Sequence, residues 1–312
     1  MTPAPPPASG AVRGGLFAFC AYLLWGVLPL YFLQLSPTGP FEIVAWRIAL
    51  SLVFCLLLLT VLRAWHPFLV IVRQPRLLGL TALAGLLIYV NWQTYVYGAL
   101  TGHVIETSLG YFINPIVTVL LGVTVLRERL RPVQWIAIGL AVAAVIVIMV
   151  GYGSFPWIAL TLAVSFGVYG LVKKQIGPSV DAVSGLTLES LWLLPVAAVQ
   201  LIVVGVTSGL TMGANGALHT VRLLAAGAVT AIPLLLFAAG ARRAPLTVMG
   251  LIQFVAPIIQ FAIGVWLLHE PMTLERWIGF GLVWVALVVL SVDSLLAARR
   301  RRASVSDVSE PV

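Results

Sequence analysis

The sequence predicts an all-α integral membrane protein with ten transmembrane helices, arranged as two inverted five-helix repeats. Three observations support this fold class. The 312 residues are 61% hydrophobic and only 9% charged, whereas soluble domains average about 25% charged residues. Apolar runs of the length that spans a bilayer recur along the chain. Residues that seldom match by chance also recur at one fixed spacing, which indicates an internal duplication.

Ten apolar runs reach the roughly 20 residues that a spanning helix needs. Pro- and Gly-rich breakers separate them, and because the connections are short, neighbouring spans run antiparallel. The Pro/Ala-rich residues 1–12 are expected to form a disordered cytoplasmic tail, and residues 299–312 a basic, then polar cytoplasmic tail. The predicted spans cover residues 14–34, 41–62, 77–98, 104–126, 132–150, 154–172, 182–205, 221–241, 245–268 and 273–296.

The basic residues predict the orientation of these spans. With the N-terminus in the cytoplasm, 15 of the 18 Lys and Arg residues fall on the cytoplasmic side. Cytoplasmic loops of membrane proteins carry such an excess. The chain is therefore expected to be a multi-pass protein of the plasma (inner) membrane with both termini in the cytoplasm.

The duplication has a spacing of 142 residues. Because each copy holds five spans, an odd number, the second copy enters the membrane upside down relative to the first, an arrangement typical of transporters. The first repeat is predicted over 13–150 and the second over 151–298. The residues that share the spacing most tellingly are Pro115 with Pro257, Glu128 with Glu270, Trp135 with Trp277, and Gly139 with Gly281.

A few polar side chains inside the spans are candidates for a transport pathway. Arg47 and Glu106 are expected at a similar depth in the outer half of the first repeat, and an ionised group in hydrocarbon needs a partner or water. We therefore predict that they pair, either at the substrate site or as a structural ion pair. Glu106 also shares an i, i+4, i+8 stripe with Gly110 and Asn114 on the fourth span.

Aromatic and amide side chains extend this candidate pathway. A cavity lined by aromatic rings and a few amides suits organic molecules with an apolar body and a polar group. The alternative is that the rings only pack between helices and at the membrane interface. The predicted pathway residues are Arg47, Asn91, Trp92, Tyr95, Glu106, Tyr111, Asn114 and Gln253.

Other residues have predicted roles outside substrate contact. Glu106 and Glu189 are candidates for a carboxylate that couples transport to protons, although Glu189 could instead face a water-filled vestibule. Pro115 and Pro257 are predicted to break their helices, because proline removes a backbone hydrogen bond. Glu128 and Glu270 are expected to cap or orient helix junctions.

Motifs for enzymatic chemistry do not occur in the sequence. It contains neither a Walker loop nor an HExxH motif, and its four His residues are scattered. We therefore expect no catalytic residues, no cofactor and no metal. The expected partners are a small-molecule substrate and the lipid bilayer, without nucleic acid, and the sequence leaves the oligomeric state open.

The run from Asn91 to Tyr95, followed by the run from Gly102 to Pro115, resembles the RarD branch of the EamA family, within the drug/metabolite transporter superfamily. The duplicated unit is similar to the EamA domain over about residues 13–298. This resemblance implies ten helices around a central cavity and movement of metabolites or drugs across the inner membrane, usually outward.

The predicted function is a secondary transporter, and an exporter by the resemblance, that works on small organic metabolites or drugs by alternating access. An uncoupled facilitator and a non-transporting membrane subunit are the alternatives. Substrate identity, direction and proton coupling are left open by the sequence.

Overall fold

The computed structural model of the chain describes residues 8–125, 127, 130–152 and 155–308. All regular elements in these ranges are helical. Ten helical stretches in them are long and apolar enough to cross a membrane, so the predicted number of spans is confirmed. Because ten crossings return the chain to its starting side, the described residues begin and end on one side of the bundle. We call this the terminal side, and the opposite face the distal side.

The described ranges contain thirteen α-helices. The eighth span combines α9 with α10, and the ninth combines α11, α12 and a π turn over Ile263–Leu267. Short α3 connects the second and third spans on the terminal side. The helices are α1 (Ala8–Leu33), α2 (Pro40–Val61), α3 (Trp65–Val72), α4 (Pro75–Leu100), α5 (Val104–Thr124), α6 (Pro132–Tyr152), α7 (Trp157–Ile176), α8 (Ala182–Thr207), α9 (Gly216–Leu224), α10 (Ala226–Ala241), α11 (Leu246–Ile252), α12 (Val255–Ala262) and α13 (Leu274–Val308).

The two ends of the chain are more helical than the sequence predicts. Helix α1 begins at Ala8, inside the segment expected to be disordered, and α13 continues to Val308 through most of the expected polar tail. Once an apolar span has nucleated a helix, each added residue extends it at little cost. The Ala and Arg residues at the end of the last span are good helix formers, which favours this extension.

The two predicted proline breaks differ. Helix α5 continues through Pro115 without interruption, so that predicted break is wrong. The ninth span is interrupted at Gln253 and Phe254, one turn before Pro257. A proline ring clashes with the carbonyl four residues earlier, which for Pro257 is that of Gln253. Helix α5, which contains Pro115, packs along α7.

Three pairs of spans that lie five apart in the chain pack against each other. Helix α2 packs on α8, α5 on α12 and α6 on α13, which are the second with the seventh, the fourth with the ninth and the fifth with the tenth span. Two loop residues 142 positions apart, Arg127 and His269, both have a positive φ, of 55° and 54°. The inverted repeat stays a prediction, and these relations support it.

Two glycines 142 positions apart allow close helix crossings. A Cβ on Gly85 of α4 would lie 3.2 Å from the carbonyl oxygen of Glu189 in α8, and a Cβ on Gly227 of α10 would collide with the carbonyl oxygen of Leu50 in α2. Small residues let transmembrane helices approach this closely. The crossing at Gly227 brings α10 against the turn of α2 that carries Arg47.

Candidate functional site

Arg47 is a buried charge at the contact between α2 and α10, with 5% of its surface exposed. Its Nε donates a 2.7 Å hydrogen bond to Thr230 Oγ1. Its guanidinium carbon lies 4.2 Å from the ring centroid of Trp92 and 5.7 Å from that of Phe32. The ion pairs found within the described ranges involve other cations. Nη1 of Arg47 is buried there without a hydrogen-bond partner.

Tyrosine side chains complete the surroundings of this guanidinium. Tyr31, Tyr95 and Tyr111 lie within electrostatic range of Arg47. The Tyr95 ring contacts the Phe32 ring at a centroid distance of 6.0 Å and the Tyr111 ring at 5.7 Å. The Tyr95 hydroxyl is also buried without a described hydrogen-bond partner. We call this group the Arg47 cage; it consists of Arg47, Tyr31, Phe32, Trp92, Tyr95, Tyr111 and Thr230.

Asn91 fixes one wall of the cage. Tyr111 donates its hydroxyl hydrogen to Asn91 Oδ1 at 3.1 Å. The Asn91 amide nitrogen donates to the carbonyl oxygen of Leu162 and to Ser165 Oγ, both on α7 and both at 3.2 Å. Asn91 thus anchors Tyr111 to α7.

Five of the eight predicted pathway residues therefore belong to one neighbourhood. Four of them are cage members and the fifth is its anchor; they are Arg47, Trp92, Tyr95, Tyr111 and Asn91. The remaining three, Glu106, Asn114 and Gln253, have other partners.

The predicted Arg47–Glu106 ion pair is wrong. Glu106 Oε1 accepts hydrogen bonds from the backbone amides of Ile158 and Ala159, at 3.0 and 3.3 Å. These amides open α7, where unpaired N–H groups and the positive end of the helix dipole attract a carboxylate. The first turn of α7 thus supplies the compensation that the sequence reading assigned to Arg47.

The stripe on α5 is a helix-packing face. A Cβ on Gly110 would lie 2.7 Å from the carbonyl oxygen of Ala159, and the Asn114 amide donates to the carbonyl oxygen of Ala163 at 3.1 Å. Together with Glu106 these residues hold α5 against α7. The predicted spacing describes one face of the helix, and that face packs against a neighbour.

Gln253 lies at the interruption of the ninth span. Its side-chain amide donates to the carbonyl oxygen of Gly250 at 2.9 Å, within the last turn of α11. It satisfies a carbonyl that the broken helix leaves free.

Glu189 forms a buried ion pair on the second half of the chain. Its Oε1 is 2.8 Å from Lys173 Nζ, and its side chain is 2% exposed against 32% for that of Lys173. Tyr169 donates its hydroxyl hydrogen to Oε2 at 3.3 Å. The carboxylate is thus engaged with two side chains of α7 and does not face an open vestibule.

Glu270 has the capping role expected of it. It accepts hydrogen bonds from the backbone amides of Val104 and Ile105, at 2.6 and 2.9 Å, and so caps α5 from the far half of the chain. Its predicted counterpart, Glu128, lies outside the described residues.

A second set of bonds joins the halves on the distal side. Glu42 Oε1 accepts from the backbone amides of Thr211 and Met212, at 2.9 and 3.3 Å. Thr38 Oγ1 lies 2.7 Å from Thr211 Oγ1 and 2.8 Å from Nε2 of His219. We call these bonds, together with the Glu270 cap, the distal seam. Glu42 is 1% exposed and buried in this seam.

Three members of the cage were missed by sequence reasoning, namely Tyr31, Phe32 and Thr230. Thr230 is a hydroxyl residue in an apolar run, and such residues often bond only to their own helix. Its hydroxyl does donate to the carbonyl oxygen of Ala226 at 2.8 Å, while also accepting from Arg47. Only the crossing of α2 and α10 reveals this second role.

An apolar pocket of about 270 Å³ adjoins the cage between α1 and α10. Tyr31 belongs to both, and Val229, which precedes Thr230, lines the pocket. The other lining residues are Leu24, Val27, Leu28, Ala228, Ile232 and Pro233. Among the described residues, His, Cys, Asp and Glu form no group of three that could hold a metal ion.

Comparisons with known proteins place these features in context. Residues 12–150 match the model of a family described as the EamA-like transporter family. The chain is 47% identical over 290 residues to Protein RarD of Streptomyces exfoliatus, covering 93% of this chain and 91% of that one. It is 38% identical to Protein RarD of Escherichia coli, covering 92% and 97%. It is 39% identical to a Vibrio cholerae protein named as an uncharacterized transporter, covering 95% and 99%.

A solved crystal structure shares the fold. It superposes with a TM-score of 0.58 at 19% sequence identity, over 92% of this chain and 98% of that chain. At this identity the likeness concerns the fold alone.

Proposed function

Because the chain belongs to the EamA-like transporter family and is a relative of the RarD proteins, we propose that this membrane transporter is a secondary exporter of small organic metabolites or drugs. Substrate would bind in the Arg47 cage, between the two predicted repeats. It would be exposed alternately to the two sides of the membrane as the inverted halves rearrange.

The observation that carries this proposal is the buried guanidinium of Arg47, which has no carboxylate partner among the described residues. Charged side chains inside a membrane are costly, and they mark substrate or ion pathways by default. Arg47 has one neutral hydrogen bond, to Thr230, and a cation–π contact with Trp92. Such partners compensate part of the cost of burial. A substrate that accepts hydrogen bonds from the guanidinium would compensate the remaining cost of its burial.

Bonds between the two predicted halves lie at both ends of the bundle. The distal seam joins the halves at their distal ends, for instance through Glu270 with Val104 and through Thr38 with Thr211. On the terminal side, Arg131 and Asp293 form an ion pair between the halves at 2.9 Å. Alternating access would require these two sets of bonds to open in turn. We assign the terminal side to the cytoplasm, because the basic residues accumulate there.

The uncoupled facilitator is the second candidate. Its support is that Glu106 and Glu189, the two carboxylates proposed for proton coupling, are both engaged: Glu106 caps α7 and Glu189 pairs with Lys173. A carboxylate with a fixed structural partner is less suited to carry a proton at each cycle.

Uptake by proteoliposomes tests both candidates. Purified protein is reconstituted, and a panel of metabolites in anionic, neutral and cationic forms is followed with and without a pH gradient. Flux above that of empty vesicles supports transport; flux that responds to the gradient beyond the change in substrate ionisation supports proton coupling. Absence of flux for the whole panel with protein of verified fold would count against the transport proposal.

Reporter fusions test the orientation. Fusions after residues 70, 101, 128 and 152 should read cytoplasmic, external, cytoplasmic and external. A reversed pattern would overturn the assignment of the terminal side to the cytoplasm, while leaving the number of spans intact.

A further inference from the structure

We propose that the Arg47 cage recognises the carboxylate of an amphipathic organic anion, whose apolar body occupies the neighbouring pocket between α1 and α10. This inference rests on the proposed transport function for its biological meaning. It narrows the substrate class to molecules with one anionic end and one apolar end.

The first step concerns charge. The titratable side chains in range of Arg47 are Tyr111, Tyr95 and Tyr31, all of them phenols. The carboxylates of Glu106 and Glu189 have partners of their own. The described surroundings of Arg47 therefore provide aromatic faces and hydroxyls but no anion. A guanidinium held in this way attracts an anionic ligand more strongly than it would in water, because the low dielectric of the interior screens little.

The second step concerns hydrogen-bond donors. Nη1 of Arg47 and the Tyr95 hydroxyl are both buried without a described partner. Buried donors are almost always paired in folded proteins, so unpaired ones need an explanation. A carboxylate has two acceptor oxygens and can accept from a guanidinium and a phenol together. Arginine suits planar carboxylates in particular, because its donors form a rigid fork.

The third step concerns the apolar end of the ligand. The pocket beside the cage has a volume of about 270 Å³ and is lined by aliphatic side chains together with Tyr31. Because Tyr31 belongs to both the cage and the pocket, a ligand that reaches Arg47 past Tyr31 places its other end among apolar side chains. Pockets of this kind hold the apolar body of a ligand while a few polar groups fix its orientation.

Binding of matched probes to the purified, full-length protein tests the proposal. The probes are two carboxylates with their neutral amides: benzoate with benzamide, and hexanoate with hexanamide. Binding is followed by thermal stabilisation and by the intrinsic tryptophan fluorescence of the protein. At least one carboxylate should bind the wild-type protein at least about tenfold more tightly than its amide, as expected for a charge-assisted hydrogen bond.

Arginine variants supply the matched controls. Arg47→Met should lose the preference for the carboxylate, and Arg47→Lys should retain part of it. Arg76→Gln removes the same charge at an exposed position and should bind like the wild-type protein. Equal binding of carboxylate and amide, failure of both carboxylates to bind, or an unchanged preference in folded Arg47→Met would each overturn the proposal.

The test of anion recognition and the test of transport can fail independently of each other. Proteoliposomes that move only neutral or cationic solutes would leave transport standing and overturn recognition of an anion. Selective carboxylate binding without flux for any solute would support recognition of an anion and overturn the transport proposal.

Discussion

Lys173 and Glu189 form a 2.8 Å ion pair between α7 and α8, and each lies 142 positions after a member of the Arg47 cage. Glu189 corresponds to Arg47 and Lys173 corresponds to Tyr31 in the predicted repeat. The two predicted halves thus hold charges of opposite sign at matched positions. In the second half the charge has an ionic partner within the protein, whereas in the first half the described partners are neutral.

The first prediction is that Lys173→Met destabilises the protein strongly. It leaves the carboxylate of Glu189, 2% exposed, without its cation. Removing one partner of a buried pair costs on the order of 3–5 kcal/mol, and proton uptake by Glu189 would set an upper limit on that cost. The measurement is the yield of folded protein in membranes and its unfolding temperature in detergent.

The double variant Lys173→Met with Glu189→Gln is the control for this prediction. It removes both charges and should recover most of the lost stability. Equal stability of the single and double variants would show that the pair contributes little beyond packing.

The second prediction is that Arg47→Met, at the position matched to Glu189, does not destabilise the protein. Arg47→Met removes a buried charge without leaving a counter-charge behind. The substitution removes the hydrogen bond to Thr230 and the contact with Trp92. It also removes the free-energy cost of burying the guanidinium, which offsets these losses. The variant should therefore fold with an unfolding temperature close to or above that of the wild-type protein, while its uptake activity is lost. A large fall in the unfolding temperature would identify Arg47 as a structural residue.

The third prediction concerns the hydrogen bond between Arg47 and Thr230. Thr230→Val keeps the shape of the side chain and removes the acceptor, which leaves Nε of Arg47 buried and unpaired. An unsatisfied buried donor costs about 1–3 kcal/mol. Thr230→Ser retains the hydroxyl and should behave like the wild-type protein in unfolding and in uptake. Indistinguishable Val and Ser variants would contradict the assigned role of the hydroxyl.

The fourth prediction concerns the distal seam. Glu270→Ala removes the cap from the amides of Val104 and Ile105, and loss of a helix cap costs about 1–2 kcal/mol. The seam should therefore open more often. Val104→Cys, placed in a background where Cys20 and Cys55 are replaced by Ala, reports this opening through labelling by a membrane-impermeant maleimide added from the distal side.

Labelling of that cysteine should be about tenfold faster in Glu270→Ala than with Glu270 intact, since 1.4 kcal/mol corresponds to a factor of ten. Glu270→Gln retains one acceptor oxygen and should give an intermediate rate. A labelling rate that does not depend on residue 270 would show that the cap does not control access to this end of α5.

Sequence reasoning reached the fold more completely than the site. Hydropathy and breakers are local properties, so the ten spans could be located to within a few residues. The pairing of Arg47 with Glu106 failed for a different reason. Depth in the membrane can be counted along the chain, but the side of a helix that faces a given neighbour depends on packing, and Glu106 faces α7.

The distinction between position along the chain and packing between helices also explains why only part of the Arg47 cage was predicted. Trp92, Tyr95 and Tyr111 stood out as aromatic residues inside the spans, and all three lie around Arg47. Thr230 belongs to the other half of the chain, and its contact with Arg47 depends on the crossing that Gly227 permits. A sequence without aligned relatives contains no direct record of such contacts between distant segments.

The bonds of the distal seam contribute to the free energy needed to separate the two halves at the distal face. Its bonds join carboxylates, hydroxyls and backbone amides, which water can solvate once the halves part. Each bond between neutral groups has a net worth of about 0.5–1.5 kcal/mol, and each bond to a carboxylate about 1.5–3 kcal/mol, because hydration replaces most of it. Water does not replace contacts between apolar surfaces in this way, so a closure built mainly from apolar surface would lose them without compensation. A ligand that binds more tightly to the protein with the distal seam open can therefore shift the equilibrium between the closed and the open distal face, by as much as its difference in affinity for the two states.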